Sequence, residues 1–159
     1  MVSTCSIGHI NGVQTLCRPS TDVLRTLTYH AHTHIGAIPN LEIKEYIDRP
    51  DLYMSSADCS ILRAGAVTCA EITATGACAI MVPYPFAAHD HQTYNANSLA
   101  SKGAGIVVSD DDVKAGKLEP VLIDLINDPA RQESIRKAAL SLAVRDTGKR
   151  ITDAIKSAL

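Results

Sequence analysis

A chain of 159 residues, with 46% hydrophobic and 20% charged residues, has the size and composition of one globular domain with its own core. Its formal net charge of −2 argues against a nucleic-acid-binding protein, which usually carries an excess of basic residues. The 5 cysteines include no C-x-x-C pair, which argues against a disulfide framework or a structural zinc site and predicts plain buried thiols.

The first residues of the chain have the weakest pattern. Val2–Cys5 fits a first strand and Gly8–Leu16 a first helix, although the glycines within that helix disfavour it. No basic start precedes a long apolar run, as a secretory signal would require, and the most apolar stretch, Ala77–Pro85, is too short to span a bilayer. We therefore expect a cytoplasmic protein that meets the inner face of the plasma membrane at most peripherally.

Further along the chain, short apolar runs alternate with helical patterns. Strands are predicted at Leu27–His32, Leu41–Ile47, Cys59–Leu62, Ala77–Val82 and Gly105–Ser109. A helical turn is predicted at Met54–Ala57, and helices at Thr68–Thr75 with Gly76 as a cap, His91–Lys102, Leu118–Asn127, Pro129–Arg145 and Thr147–Ala158. The alternation predicts an α/β fold whose doubly wound, mostly parallel sheet binds ligands at the carboxyl ends of its strands.

The segment after the strand at Cys59–Leu62 has the pattern of a diphosphate-binding turn. Small residues at 64–66 separate Arg63 from the next helix, so a ligand can approach the backbone closely. The free N–H groups and the positive dipole end of that helix suit a diphosphate. Glu71 would lie about one turn into the helix, where it could accept a hydrogen bond from a sugar hydroxyl. The alternative is an ordinary strand–helix turn with a solvated glutamate.

Polar side chains also cluster after the strand at Ala77–Val82. Two prolines end that strand, and Asp90 is placed to cap the helix that follows. His91 and Gln92 fall in the first turn of this helix, where side chains that donate and accept suit sugar hydroxyls. The alternative is a capped surface helix without a ligand.

Two weaker patterns lie nearer the N-terminus. His30, His32 and His34 share one face of an extended strand and could bind zinc or copper. A polar strand end is the simpler interpretation, because no carboxylate stands close by in sequence to orient the imidazoles. Cys5–His9 could form a second phosphate-facing turn.

Taken in order, the segments RAGAVTCAEI, ATGACAIMVPYPFAAHDHQTYNA and SKGAGIVV resemble the C-terminal domain of MurG-type N-acetylglucosaminyltransferases, members of glycosyltransferase family 28. The resemblance covers Asn40–Ile155 and is looser over residues 1–36. In that looser part, Ser3–Gly8 resembles the family's glycine-rich loop, but Thr4 and Cys5 replace its paired glycines.

The resemblance implies a GT-B architecture, in which this Rossmann-like half binds UDP-N-acetylglucosamine. Ile47 would contact uracil through its backbone, Ser6 would touch a phosphate, and the residues opening the helix after Arg63 would meet the diphosphate. Glu71 would accept hydrogen bonds from the ribose, and Gln92 would hold the sugar beside His91. The full set of implied donor-binding residues is Ser6, Ile47, Ala66, Val67, Thr68, Cys69, Ala70, Glu71, His91 and Gln92, with Arg63, Gly65, Asp90 and Asn95 in support.

The implied reaction is an inverting transfer of N-acetylglucosamine to a lipid-linked muramoyl-peptide acceptor in peptidoglycan synthesis. Amides at the helix start would stabilise the leaving diphosphate, so neither a metal nor a cofactor is expected. In the family, the acceptor and the proposed general base belong to an N-terminal domain, so the sequence assigns no catalytic residue here. We expect residues 1–159 to form a single nucleotide-sugar-binding domain without that acceptor domain.

Other interpretations stay open beside the transferase. The chain could be a non-catalytic UDP-sugar-binding subunit, or a degenerate fragment that needs a partner domain. A His-rich metal-binding protein is the remote alternative. A domain that normally faces a second one exposes an apolar surface, which predicts a homodimer through that face.

Overall fold

The computed structural model describes residues 13–16 and 47–158. In chain order they form β1 (Val13–Leu16), α1 (Pro50–Ser56), β2 (Cys59–Leu62), α2 (Ala66–Thr75), β3 (Ala79–Met81), α3 (His91–Ala100), β4 (Ile106–Val107), α4 (Asp110–Lys114), α5 (Leu118–Ile126), α6 (Pro129–Ser141) and α7 (Thr147–Ala158). A short 3₁₀ helix, Ala88–Asp90, leads into α3. The predicted strands at Val2–Cys5 and Leu27–His32 lie outside the described residues.

The described strands form one sheet in the order β1-β2-β3-β4. Strands β2, β3 and β4 are parallel, with Ile61 beside Ile80 and Ile80 beside Ile106. Helices α2 and α3 connect these parallel strands, as a parallel sheet requires. The predicted mostly parallel α/β sheet is therefore confirmed.

Both faces of the sheet are buried, because alternate residues of each strand enter different core clusters. On one face, Leu62 and Met81 pack with residues of α1, α2, α3 and α6, among them Ile72. On the other face, Ile61 and Ile80 pack with Leu125 of α5 and with α6. The predicted doubly wound arrangement follows from this two-sided covering.

The prediction of a first helix at Gly8–Leu16 is wrong for its described part. Val13–Leu16 is strand β1, which pairs antiparallel with β2, so that Val13 lies beside Leu62 and Leu16 beside Cys59. Pairing with an existing strand gives these residues a hydrogen-bonded ladder that local helix propensity cannot match. Residues 8–12 lie outside the described part of the chain.

Several predicted bounds also move. Helix α1 begins at Pro50, four residues before the predicted turn at Met54, because a proline is pre-organised for the first helical position. Helix α2 begins at Ala66, two residues before the prediction. Of the predicted strand at Leu41–Ile47, only Ile47 is described, and it lies outside any strand.

One helix was not predicted. Helix α4 follows β4 directly, where a strand was expected to continue to Ser109. The Ser109 side chain instead accepts a hydrogen bond from the Asp112 N–H and caps α4, whose first turn carries three aspartates. A capping side chain and negative charge in the first turn both stabilise a helix that begins at Asp110, so the strand ends before Ser109.

Gly76 ends α2 in the left-handed conformation, with φ 68°, and confirms the predicted cap. A Cβ at this position would lie 2.6 Å from Cγ of Leu140 in α6. Backbone conformation and packing against α6 therefore both require glycine here. No helix among the described residues is long and apolar enough to cross a membrane.

Candidate functional site

The carboxyl ends of β2, β3 and β4 meet at one edge of the sheet, because these strands are parallel. This edge carries the turn at 63–65 that leads into α2 and the loop at 82–90 that leads into α3. Ligands of open α/β sheets bind at this kind of edge. The two sequence segments that predicted chemistry therefore lie on neighbouring loops.

Among the described residues, no side chain caps the start of α2. Gly65 is its extended N-cap, and the first turn carries no acidic residue. The earliest hydrogen bond of the helix runs from the Cys69 N–H to the Gly65 carbonyl, at 2.9 Å. Val67 is 74% exposed in the first turn. The backbone amides at 66–68 are thus placed to bind an anion.

Glu71 follows in the same helix and is half-buried. Its carboxylate has no hydrogen-bond or ion-pair partner among the residues that the structure describes. Burial raises the pKa of Glu71 above its ordinary value, because charge is harder to solvate there. A half-buried acceptor that lacks a protein partner is suited to a ligand hydroxyl.

Arg63 crosses the end of β3 and joins the three parallel strands. Its Nη1 donates to the carbonyl oxygens of Val82 and Pro83, at 3.2 and 3.1 Å, and to Oδ1 of Asp110, at 2.9 Å. Its guanidinium also lies over the ring of Tyr84, 5.6 Å from the centroid. We call this set of contacts the Arg63 clamp. It fixes the edge from which both loops leave the sheet.

Helix α3 is tied to the same edge by two amide side chains. Nδ2 of Asn95 donates to the carbonyl of Ala64, at 3.0 Å, and so joins α3 to the turn before α2. Oε1 of Gln92 accepts from the N–H of Tyr84, at 3.0 Å. Because the oxygen of the Gln92 amide is used in this way, its NH₂ group is left to donate to a ligand.

His91 offers a hydrogen-bond acceptor beside the donor of Gln92. Its Nδ1 lies 2.6 Å from the carbonyl of Ala88, so Nδ1 carries the proton and donates. In the neutral ring, Nε2 is then an acceptor on an exposed side chain. His91 and Gln92 together offer an acceptor and a donor, which suits the hydroxyls of a sugar.

Asp90 does not cap α3 as predicted. It precedes the helix, but its side chain accepts no hydrogen bond from a helix N–H and instead accepts from Oγ1 of Thr93, at 2.6 Å. Both His89 and Asp90 have left-handed backbones, with φ 52° and 54°. This conformation costs free energy in a non-glycine residue and turns the carboxylate away from the usual capping position.

The remaining predicted residues are less informative. Ile47 lies just before α1 and is buried. Ala66 and Ala70 lie on α2 and are exposed. Burial raises the pKa of Cys69 to about 11, so this thiol stays protonated at neutral pH. Cys59 and Cys78 are buried thiols, as predicted for the cysteines.

Several predictions near the N-terminus fall on residues that the structure does not describe. They concern Ser6, the turn at Cys5–His9, and the histidines at 30, 32 and 34. Within the ranges 13–16 and 47–158, no three His, Cys, Asp or Glu residues come together as a metal site would need.

Sequence reasoning missed Asp110 and Tyr84. Asp110 stands 47 residues from Arg63 in the chain, and only the parallel order of the strands brings the two together. The ring of Tyr84 contacts the guanidinium of Arg63 and, edge-to-face, the ring of Phe86, with 5.7 Å between the two ring centroids. A tyrosine between two prolines was the one local signal for this contact.

Residues 12–153 match the glycosyltransferase family 28 C-terminal domain. The chain belongs to this family.

Curated relatives of the family 28 domain include two transferases named UDP-N-acetylglucosamine--N-acetylmuramyl-(pentapeptide) pyrophosphoryl-undecaprenol N-acetylglucosamine transferase. The one from Gloeothece citriformis is 40% identical over 65% of this chain and 29% of its own length. The one from Salinibacter ruber is 41% identical over 71% of this chain and 30% of its own length. The chain thus spans less than a third of the relatives it matches.

Solved structures show the same fold. Acinetobacter baumannii MurG is 26% identical with a TM-score of 0.71, over 86% of this chain and 45% of that one. The glycosyltransferase VinC, solved in complex with dTDP, is 22% identical with a TM-score of 0.62, over 87% of this chain and 35% of that one. The predicted Rossmann-like half of a GT-B glycosyltransferase is confirmed.

Proposed function

We propose that this chain is the donor-binding domain of a glycosyltransferase that moves N-acetylglucosamine from UDP-N-acetylglucosamine to a lipid-linked muramoyl-peptide acceptor in peptidoglycan synthesis. The observation that carries the proposal is a start of α2 that no described side chain caps, followed by the half-buried Glu71, whose carboxylate has no partner in the described part of the chain. The names of the similar transferases support the choice of sugar donor and acceptor.

The donor would lie along the edge that the Arg63 clamp fixes. Amides at 66–68 would bind the diphosphate, and Glu71 would accept from the ribose hydroxyls. The NH₂ of Gln92 and Nε2 of His91 would then meet the N-acetylglucosamine ring. Backbone contact from Ile47 to uracil, a phosphate contact from Ser6 and placement of Cys69 and Ala70 along the same helix complete the proposed site.

In the reaction, the oxygen of an acceptor hydroxyl would bond to the anomeric carbon while the bond from that carbon to the β-phosphate oxygen breaks. The hydroxyl proton would pass to a general base, and UDP would leave with the electron pair and added negative charge. Amides at the start of α2 would stabilise this charge more strongly in the transition state than in the ground state. This scheme would need no metal, since main-chain donors would face the leaving group.

The acceptor, the general base and any membrane contact are assigned to parts of the enzyme other than the described residues. We propose a peripheral place at the inner face of the plasma membrane, where a lipid-linked acceptor would be available. We also propose that exposed apolar side chains near the site, including Phe86 at 81% and Tyr94 at 73% exposure, favour self-association of the isolated chain.

Thermal unfolding with added ligand tests donor binding. At 100 times its dissociation constant, UDP-N-acetylglucosamine should add about 2.7 kcal/mol of stability and raise Tm by roughly 5–10 °C. UDP should give most of this shift, and GDP little. Glu71→Gln should reduce the shift, because an amide is a poorer acceptor for the ribose hydroxyls.

Glu119→Gln is the matched control, since it makes the same chemical change at an exposed position of α5. It should respond to UDP-N-acetylglucosamine as the unchanged chain does. Absence of any shift with uridine nucleotides would reject the proposal.

A transfer assay distinguishes an active domain from a non-catalytic binding subunit. Transfer to a lipid-linked acceptor would be measured for the chain alone and with an added acceptor-binding domain of the same family. Activity only in the mixture is expected, because the general base is assigned to the added domain. Activity of the chain alone would contradict that assignment.

A further inference from the structure

We propose that Asp110 is a positioning residue for the donor site, because it holds Arg63 across the end of β3 and so sets the spacing between the start of α2 and the loop that leads into α3, the helix that carries Gln92. The inference rests on the proposed function, since this spacing matters only if one ligand spans both loops.

The geometry of the Arg63 clamp makes Asp110 its charged anchor. Nη1 of Arg63 faces the carbonyls of Val82 and Pro83 and also Oδ1 of Asp110, which is the nearest of the three at 2.9 Å. A single nitrogen has two hydrogens to share among these acceptors. The carboxylate is the strongest of them, because both partners of that hydrogen bond are charged.

Asp110 is itself held in place. Its second oxygen, Oδ2, lies 3.0 Å from Nζ of Lys114, one helical turn along α4. The side chains of Arg63 and Asp110 are only 33% and 19% exposed, whereas that of Lys114 is 66% exposed. The Arg63–Asp110 pair is therefore shielded from water more than an ordinary surface pair, and its geometry is fixed at both ends.

Two contacts link this pair to the proposed ligand groups. The guanidinium of Arg63 lies over Tyr84, whose N–H binds Oε1 of Gln92. In the other direction, Arg63 adjoins Ala64, whose carbonyl binds Asn95 of α3. A shift of Arg63 would therefore change the position of Gln92 relative to the start of α2.

A purely electrostatic role and a positioning role for Asp110 predict opposite changes in nucleotide affinity when its carboxylate is neutralised. Without the carboxylate of Asp110, the edge would carry one more uncompensated positive charge beside a diphosphate. If Asp110 acted only through charge, its neutralisation would strengthen nucleotide binding. If it positions Arg63, neutralisation weakens binding in spite of the added attraction.

Calorimetric titration of Asp110→Asn with UDP-N-acetylglucosamine and with UDP tests the inference. We expect the dissociation constant of UDP-N-acetylglucosamine to rise about tenfold, as for loss of a hydrogen bond between charged groups. The constant for UDP should rise less, because UDP lacks the sugar that would contact Gln92 in the proposed binding mode. A general loss of stability would weaken both ligands equally and leave their ratio unchanged.

Asp111→Asn is the matched control. It removes the same charge from the neighbouring residue of α4, whose side chain is 93% exposed and pairs with Lys114. It should leave both constants within roughly twofold of those of the unchanged chain.

The outcomes separate the two proposals. Normal or tighter binding by Asp110→Asn, or an equal loss in Asp111→Asn, would overturn the positioning role while donor binding stands. If the unchanged chain binds no uridine nucleotide, the proposed function fails and the positioning role fails with it. If Asp110→Asn does not fold, Asp110→Glu keeps the charge but displaces the carboxylate, and unchanged binding by that variant would also overturn the inference.

Discussion

A single carboxylate in the candidate site, that of Glu71, makes the stability of the chain depend on pH. Glu71 is half-buried without a partner among the described residues, and burial raises its pKa. The folded protein therefore holds the proton of Glu71 more tightly than the unfolded chain does. Stability is unaffected below the ordinary pKa of the group and falls as the pH rises through the raised pKa, because the ionised form is poorly solvated.

This loss of stability with rising pH leads to a prediction for Glu71→Gln. The variant should have a higher Tm than the unchanged chain at pH 7, since it removes the ionised group. The two should melt together below about pH 4, where the glutamate is protonated in both states. Melting curves across this pH range, without ligand, provide the check. Equal Tm values at pH 7 would mean that the carboxylate has a partner in the folded chain.

At the scale of elements, the ends of helices depend on particular glycines. Gly76 and Gly116 are both left-handed, with φ 68° and 76°. A Cβ at Gly76 would overlap Leu140 of α6, whereas a Cβ at Gly116 would meet nothing within 4 Å. At both positions a side chain would strain the left-handed backbone. Only at Gly76 would it also disturb the packing against α6.

Substituting alanine at each position separates the two effects. Gly116→Ala should lower the free energy of unfolding by about 1 kcal/mol, from the left-handed backbone alone. Gly76→Ala should cost about 1–3 kcal/mol more, because α2 and α6 must also move apart. Denaturant unfolding measures both. An equal loss in the two variants would show that Leu140 moves aside freely.

The sequence predicts those elements whose signals are local. The bounds of β2 and α7 agree with prediction at both ends, because a short apolar run and an amphipathic pattern identify them. The error at β1 has another origin, since pairing with β2 is a tertiary interaction that four residues do not encode. Helix α4 has only 5 residues and was too short to stand out.

The same distinction applies to the candidate site. The open start of α2 could be predicted, because small residues and a following helix are contiguous in sequence. The roles of Asp110 and of the Tyr84 backbone could not, because each depends on a partner that the sheet brings near. The left-handed Asp90 also escaped prediction, since an aspartate before a helix ordinarily caps it.

For the molecule as a whole, stability is unevenly distributed. Strands β2 and β3 are fully buried, whereas every described residue of α7 is exposed, including Ile151 at 56% and Ile155 at 57%. A helix of 12 residues gains little stability without tertiary packing. Helix α7 should therefore unfold locally while the core stays folded.

Hydrogen exchange should detect this difference. Amides of α7 are expected to exchange orders of magnitude faster than those of β3, because local opening suffices for the former and global unfolding is needed for the latter. Ile151→Ser should leave the free energy of global unfolding almost unchanged. Protection of α7 at the level of β3 would show that another part of the chain, or a second copy, covers its apolar face.

The Arg63 clamp has a consequence for how such a domain can diverge. Arg63 grips the loop after β3 through the carbonyl oxygens of Val82 and Pro83, which are main-chain atoms that every amino acid possesses. Replacement of the side chains along this loop therefore leaves those two bonds available. The loop can acquire new ligand preferences while the framework beneath it keeps its shape.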